Sequence, residues 1–220
     1  MGDYQYVARK SIAVLFILIF MNSLFLLFSP VVYTTLQTLI PLTILSMVVS
    51  IDVAIRPTSS KPDRYDRALT ALAFLLFPLM VFLPYYESRT LTSSYLGPNI
   101  GVITLVGVAI LLVGSFLLMA SRIQIGHFGG PRITIEDDHR LITDRMYRYI
   151  RNPQYLGFLL LFAGYSFSLG SLFVTVVIVV GLFAVFRSRI LLEEQILLET
   201  FGDEYAEYMR KTWRLVPYMY

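Results

Sequence analysis

The sequence predicts an all-α protein, a polytopic bundle of transmembrane helices with about six membrane segments. Of its 220 residues, 56% are hydrophobic and only 15% are charged, whereas a soluble domain carries about a quarter charged residues. Apolar runs of roughly 20 residues recur, which is the length that crosses about 30 Å of hydrocarbon. Polar segments separate these runs and mark the loops, so hydropathy alone divides the chain into its elements.

Four apolar runs precede residue 122. They predict membrane helices at about 10–30, 33–55, 67–86 and 100–121. The first run is longer than a signal-peptide core and lacks a small-residue cleavage site, so we expect it to be retained. A longer apolar stretch, 154–187, would be about 50 Å long as one helix, too long for a single crossing. Because Ser168-Leu169-Gly170-Ser171 interrupts it with turn-forming residues, we predict a helical hairpin of two short arms.

The basic residues fall in alternate loops. They precede the first span, separate spans two and three, follow span four from Arg122 onward, and follow the hairpin. The two remaining loops contain Arg89 alone. The positive-inside rule therefore predicts that the N-terminus and the C-terminus are both cytoplasmic. Arginines at span ends otherwise serve as topology signals and lipid-phosphate anchors, and nothing in their distribution indicates nucleic-acid binding.

Two polar clusters flank the predicted hairpin. The basic, aromatic segment His139–Gly157 precedes it, and a second cluster begins at Arg189. Charge at a membrane is costly unless it is paired or functional, so the sequence predicts one site at the cytoplasmic surface. Asn152 and Pro153 form a good helix start, in which Asn caps free N–H groups and Pro occupies the first helical position. Such an N-terminus suits a carboxylate or phosphate.

The side chains of these clusters also have plainer explanations. Tyr147, Tyr149 and Tyr155 could hold a flat ligand, or they could belong to the aromatic belt of the membrane interface. Arg189 and Glu193 share a helix face, which a surface i,i+4 ion pair worth a few tenths of a kcal/mol would also explain. Glu194 points about 100° away from Glu193. The segment 194–210 reads as an amphipathic helix that Gly202 loosens.

Several classes of site are excluded. The chain has no cysteine and only two histidines, His127 and His139. This composition excludes disulfides, thiolate ligands and a histidine-rich metal cluster, and we expect no metal site. No P-loop and no Ser-His-Asp arrangement stands out.

Four ordered motifs carry a resemblance to a known family. The pattern His139-x-Leu141-Ile142-Thr143-x-x-x-Tyr147-x-x-x-Arg151-Asn152-Pro153-x-Tyr155-x-Gly157 resembles the C-terminal half of the isoprenylcysteine carboxyl methyltransferases. The motifs that follow it in the family's order are Arg189-x-x-x-Glu193-Glu194, Phe201-Gly202-x-Glu204-Tyr205 and Arg214-Leu215-Val216-Pro217. The resemblance covers roughly residues 120–220, and phospholipid N-methyltransferases share this core.

This resemblance implies an S-adenosylmethionine-dependent membrane methyltransferase that releases S-adenosylhomocysteine. Hydropathy alone assigns residues 1–121 to N-terminal transmembrane helices, and the resemblance makes 122–220 a catalytic region with a cytosolic cofactor pocket. Glu193 would hold the ammonium group of the cofactor, and Arg189, with Tyr155 and Asn152 beside it, would orient the methyl acceptor. The resemblance implies further cofactor contacts from His139, Arg140, Leu141, Ile142, Tyr147, Asn152, Pro153, Gln154 and Tyr155.

Two residues depart from the family pattern. Asn152 stands where the family commonly has His, and Arg145 where a Gly is common, so we expect the turn at Arg145 to differ. Asn can donate and accept hydrogen bonds, but it does not titrate near neutrality. An acceptor that needs no base is therefore favoured: a lipid or lipidated, prenylcysteine-type carboxylate that enters from the bilayer. The alternatives are a phospholipid amine N-methyltransferase, a nicotinamide-dependent membrane reductase and a non-enzymatic membrane protein.

Overall fold

Helices make up most of the described chain. The computed structural model describes residues 35–55, 64–92, 100–126 and 141–218, with isolated positions between 11 and 19. Within these ranges no β-strand occurs, which confirms the all-α prediction. A π-helical turn, Ser88–Thr92, extends the second helix, and a 3-10 turn, Arg145–Arg148, precedes the fourth. The helices are α1 Leu36–Ile55, α2 Arg64–Glu87, α3 Ile100–Ile125, α4 Pro153–Ser168, α5 Leu172–Phe201 and α6 Asp203–Lys211.

Three of the described helices have the length and hydropathy of membrane spans. They are α1, residues Gly101–Ile125 of α3, and α5. The spans predicted at 33–55 and 100–121 are thus confirmed as long apolar helices, and the span predicted at 67–86 corresponds to helix α2. The span predicted at 10–30 lies almost wholly outside the described residues. The count of six membrane segments stays a prediction.

The predicted hairpin is present, and its second arm is longer than expected. α4 ends at Ser168, and a turn with Gly170 at a positive φ of 76° leads into α5. α5 does not end near residue 187 but runs from Leu172 to Phe201, 30 residues in all. The reason is that no Pro or Gly stands between Gly181 and Gly202. The second polar cluster therefore lies on the hairpin's own second helix.

The predicted amphipathic helix over 194–210 is wrong in its start. Gly202 has a φ of 53° and ends α5 completely, because this left-handed conformation does not continue a right-handed helix. Only α6 forms a separate amphipathic helix. Its inward-facing Tyr205 is 2% exposed. α6 packs back on α5, and the C-terminal segment after it returns to the start of α4.

α3 and α4 are in backbone contact. A Cβ atom added to Gly114 of α3 would lie 2.5 Å from the backbone nitrogen of Leu161, and one added to Gly157 of α4 would lie 2.7 Å from that of Leu118. Gly107 and Gly164 make equally close approaches. Small residues at helix interfaces let membrane helices pack closely, and here they fix the start of α4 against the end of α3.

Polar contacts join the helices at both ends of the bundle. Arg122 of α3 forms an ion pair with Asp52 of α1, with Nε and Oδ1 2.9 Å apart and side chains only 5% and 3% exposed. Arg122, which the sequence analysis counted among the basic loop residues, is therefore a buried residue of α3. At the other end Glu87 accepts hydrogen bonds from the backbone nitrogens of Phe173 (3.0 Å) and Val174 (2.8 Å). This carboxylate caps the N-terminus of α5, where the helix dipole favours negative charge.

Candidate active site between the two arms of the hairpin

Three predicted site residues meet where α4 begins and α5 passes beside it. The Tyr155 hydroxyl donates to Glu193 Oε1 at 2.5 Å. The Arg189 Nε–H group is shared between the Tyr155 hydroxyl at 2.7 Å and Glu193 Oε1 at 2.9 Å. About one-fifth of the Arg189 and Glu193 side chains is exposed. We call these three residues the Tyr155–Arg189–Glu193 cluster. Three internal hydrogen bonds order it, and its exposed fraction leaves it accessible to a ligand.

An isolated surface ion pair does not describe this arrangement. The tyrosine comes from the other arm of the hairpin, 38 residues away from Glu193 in sequence. Its ring also packs against Phe186 of α5, with ring centroids 5.0 Å apart. The two explanations left open for the tyrosines therefore apply to different residues. Tyr155 belongs to the cluster, and Tyr147 is only 6% exposed. Tyr149 is 63% exposed, as a residue of the membrane interface would be.

Tyr147 is held by contacts from two elements. The amide of Gln124, at the end of α3, accepts from the Met146 N–H group at 3.4 Å and donates to the Asp144 carbonyl at 2.6 Å. The Tyr208 hydroxyl of α6 donates to the Tyr147 carbonyl at 2.6 Å. Burial raises the pKa of the Tyr147 phenol well above its ordinary value, and the charge of Arg122 only partly opposes this effect. Tyr147 is therefore a neutral phenol and not a base.

Glu194 organises a second network behind the cluster. One carboxylate oxygen accepts from Arg151 Nε at 2.9 Å, and the other lies 2.8 Å from Arg214 Nη2. The Arg151 and Glu194 side chains are each only 8% exposed. Arg151 also donates to the carbonyl oxygens of Met209 and Thr212. The prediction that Glu194 points away from Glu193 is confirmed, but its role as the anchor of the C-terminal segment was missed.

Asn152 does not cap α4 with its side chain, which corrects the predicted helix start. It occupies the N-cap position with φ −124° and ψ 56°, and no side-chain capping bond forms. Its Nδ2 group donates instead to the Arg214 carbonyl at 2.9 Å. The C-terminal segment also pairs with Ile150 through Trp213. The Asn152 amide therefore binds this segment and not the free N–H groups of α4. Pro153 does lie in the first turn of α4, as predicted.

The remaining predicted contacts divide into three groups. Gln154 Nε2 is buried, and within the described part of the chain it has no hydrogen-bond partner. Leu141 and Ile142 are half-buried in the segment that leads to the 3-10 turn. His139 and Arg140 lie outside the described residues. A buried amide donor without a protein partner fits a bound polar ligand, because leaving such a group unsatisfied costs about 1–3 kcal/mol.

Arg145 has a positive φ, a conformation that glycine adopts without strain. Its φ is +48°, in the left-handed region. The expectation that this turn differs from the glycine form stays a prediction. The Arg145 side chain is 78% exposed, and its Nε lies 4.0 Å from Asp144 Oδ2. The conformation is thus imposed by the turn and not by a strong side-chain contact.

Among the described residues no group of three or more His, Asp or Glu side chains could hold a metal ion. A groove of about 380 Å³, lined mostly by apolar residues of α2 such as Leu83 and Tyr86, reaches Arg89. It lies toward the Glu87 end of α2 and not toward the cluster.

Comparison with known proteins points to membrane methyltransferases. The profile of the phospholipid methyltransferase family matches residues 102–204, which include Tyr155, Arg189 and Glu193. The protein-S-isoprenylcysteine O-methyltransferase of Schizosaccharomyces pombe is 32% identical over 109 residues, 49% of this chain and 46% of that protein. A probable protein-S-isoprenylcysteine O-methyltransferase of Oryza sativa subsp. indica is 30% identical over 159 residues, 70% of this chain and 83% of that protein.

A solved structure shares the fold. It is the eukaryotic intramembrane Ras methyltransferase described as isoprenylcysteine carboxyl methyltransferase, with a TM-score of 0.60 and 18% sequence identity. The match covers 83% of this chain and 63% of that one. This chain thus spans less than half of the Schizosaccharomyces pombe relative and under two thirds of the solved structure.

Proposed function

The chain belongs to the protein-S-isoprenylcysteine O-methyltransferase family, and on that basis we propose that it is an integral membrane methyltransferase. It would transfer the methyl group of S-adenosylmethionine to the carboxylate of a lipid or lipidated, prenylcysteine-type acceptor. The observation that carries the proposal is the Tyr155–Arg189–Glu193 cluster. It places a carboxylate and a guanidinium side by side at 2.9 Å. Gln154, which adjoins Tyr155 in sequence, has a buried Nε2 group without a hydrogen-bond partner among the described residues.

The residues present fit the proposed cofactor. S-Adenosylmethionine supplies an electrophilic methyl group on a sulfonium. Glu193 would accept from its ammonium group, and the Gln154 amide would donate to one of its oxygens. Leu141, Ile142 and Tyr147 would form further contacts. The remaining proposed contacts are His139, Arg140, Asn152, Pro153 and Tyr155.

Arg189 is the proposed orienting group for the acceptor. A guanidinium can hold a carboxylate through two N–H donors, and the bond from Arg189 to Tyr155 fixes its direction. Methyl transfer to a carboxylate needs no proton transfer, so positioning and exclusion of water supply most of the catalysis. Tyr147 stays a neutral phenol, and Asn152 has no titratable proton near neutrality. Because a carboxylate acceptor is already deprotonated, neither these two residues nor the cluster has to supply a base.

The proposed topology puts both termini in the cytoplasm, with about six membrane segments and a cytosolic pocket. The Asp52–Arg122 ion pair supports it, because it brings the C-terminal ends of α1 and α3 to the same side of the bundle. The basic stretches that follow these two helices then share that side, as the positive-inside rule requires. We assign residues 1–121 as supporting N-terminal helices and 122–220 as the catalytic region.

The test is thermal unfolding of the detergent-solubilised protein with S-adenosylhomocysteine. At a hundredfold excess over Kd a ligand of the folded state adds roughly 2.7 kcal/mol of stability. We expect the parent to be stabilised and Glu193→Gln to lose most of that gain. Glu199→Gln, an exposed carboxylate on the same helix bonded to Gln195, is the matched control and should respond like the parent. An unresponsive folded parent would refute the cofactor assignment.

A phospholipid amine is the second candidate acceptor. The match to the phospholipid methyltransferase profile favours it. An amine must be neutral to attack, so a base would help, and both histidines of the chain lie outside the described residues. Transfer of a labelled methyl group to a farnesylated cysteine or to phosphatidylethanolamine in parallel reactions separates the two. Label in the cysteine product alone is the expected result, and label in the phospholipid alone would overturn the carboxylate assignment.

A further inference from the structure

Three exposed aromatic side chains surround the start of α4. Tyr149 is 63% exposed, Trp213 42% and Tyr218 87%. The rings of Trp213 and Tyr218 lie 5.2 Å apart between centroids. The backbone N–H group of Trp213 donates to the backbone carbonyl of Tyr149 at 2.9 Å, so the three residues lie close together. We call Tyr149, Trp213 and Tyr218 the aromatic patch.

The length of α4 fixes the depth of this patch in the membrane. α4 has 16 residues and is about 24 Å long, whereas the hydrocarbon core is about 30 Å thick. The first turn of α4 therefore cannot extend far beyond the hydrocarbon if the helix crosses it. Tyr149 precedes this turn by four residues, and Trp213 is tied beside it through its pairing with Ile150. The patch then lies at the boundary between acyl chains and headgroups.

The chemistry of the patch also matches that boundary. Tyr and Trp rings have an apolar body and one polar group, and they are enriched at headgroup depth for this reason. The neighbouring basic side chains of Arg148, Arg210 and Lys211 are exposed and can reach lipid phosphates. Three exposed aromatics with cations around them thus fit a phospholipid surface.

The patch belongs to the segment that holds the candidate site together. Thr212 and Arg214, the neighbours of Trp213, provide the carbonyl oxygens that accept from Arg151 and Asn152. The Arg214 guanidinium binds Glu194. Whatever fixes Trp213 therefore also fixes the contacts that hold the C-terminal segment against the start of α4.

We propose that the aromatic patch inserts into the lipid headgroup layer of the membrane that the helices span, and that this insertion anchors the C-terminal segment over the candidate site. The lipid surface is the occupant because the patch adjoins the start of α4, which packs against the apolar spans α3 and α5. The inference rests on the membrane location of the proposed function, but on no cofactor or acceptor.

Trp213 makes the proposal directly testable, because it is the only tryptophan of the chain. The unlabelled full chain is reconstituted in protein-free liposomes of ordinary phosphatidylcholine or of phosphatidylcholine brominated near the top of its acyl chains. We expect a blue-shifted emission that the shallow bromines quench, with little quenching by aqueous acrylamide. Emission that acrylamide quenches and bromolipid does not would overturn the proposal. So would blue-shifted emission insensitive to both, which would indicate a protein partner.

A variant that keeps the probe measures the contribution of the other two rings. The double substitution Tyr149→Ser and Tyr218→Ser leaves Trp213 in place, and we expect a loss of bromolipid quenching and a red shift. Tyr86→Ser, at a 67% exposed tyrosine of α2 toward the other end of the bundle, should leave the emission unchanged. An unchanged double variant would show that the patch does not act as a unit and would refute the proposal. Neither readout involves a methyl donor, so a failure here is distinct from failure of the proposed function.

Discussion

Arg151 and Glu194 form an ion pair with Nε and Oε1 2.9 Å apart, although 43 residues separate them in sequence. Arg151 is two residues before the first residue of α4, and Glu194 directly follows Glu193 of the cluster. The pair therefore fixes the start of one hairpin arm against the other arm. Adjacent glutamates on α5 thus make different contacts: Glu193 belongs to the cluster, and Glu194 joins the start of α4 and the C-terminal segment to α5.

Glu194→Gln should destabilise the protein strongly. The substitution leaves Arg151 and Arg214 without their common anion, and breaking a buried pair typically costs about 3–5 kcal/mol. Thermal unfolding in detergent without ligand measures the loss. Glu207→Gln removes an exposed pair with Lys211, with side chains 65% and 69% exposed, and should leave the unfolding temperature unchanged. Equal behaviour of the two variants would contradict the assigned role of Glu194.

Only part of the cluster could be predicted from local geometry, because Tyr155 was assigned to the site by the family resemblance and not by its spacing. Helical spacing puts Arg189 and Glu193 on one face, and the turn at Gly170 brings α4 back beside α5. The Asp52–Arg122 and Glu87 contacts could not be predicted in this way. They depend on which helix faces which and on the rotation of each helix, and hydropathy determines neither. The predicted Asn152 cap failed for a related reason, since a segment 62 residues later in the chain takes its amide.

Tyr155→Phe should lower activity without unfolding the protein. The ring contact with Phe186 is retained, as is the direct bond between Arg189 and Glu193. What disappears is the hydroxyl that donates to Glu193 and accepts from Arg189, and hydrogen bonds to charged groups contribute about 1.5–3 kcal/mol. We expect kcat/KM for methyl transfer to fall by roughly ten- to a hundredfold. Tyr149→Phe, at an exposed tyrosine, is the control. A Tyr155→Phe enzyme with parental kcat/KM would remove Tyr155 from the site.

Gly157→Ala should destabilise the bundle. The new methyl group would lie 2.7 Å from the backbone nitrogen of Leu118, and a backbone atom cannot move away as the end of a flexible side chain can. Overpacking of this kind costs about 1–3 kcal/mol. Gly181→Ala is the matched control, because no atom lies within 4 Å of the added methyl group and Ala is the better helix former. The comparison is a thermal unfolding series, and a Gly157→Ala protein as stable as Gly181→Ala would show that α3 and α4 are not in backbone contact.

Arg145→Gly should stabilise the protein, the opposite of what replacing a charged residue beside a site normally does. Arg145 has a φ of +48°, where a side chain costs about 1–2 kcal/mol and glycine does not. Glycine loses more freedom on folding, about 0.5–1 kcal/mol, so a net gain of up to about 1.5 kcal/mol remains. Arg148→Gly supplies the control, since Arg148 is an exposed residue of the same turn without a positive φ and should be destabilised by the entropy term alone.

Thermal unfolding of both variants checks the sign, and a loss of stability in Arg145→Gly equal to that in Arg148→Gly would mean that the left-handed turn at Arg145 carries no strain. Because the Arg145 side chain is largely exposed, affinity for S-adenosylhomocysteine should not change in either direction.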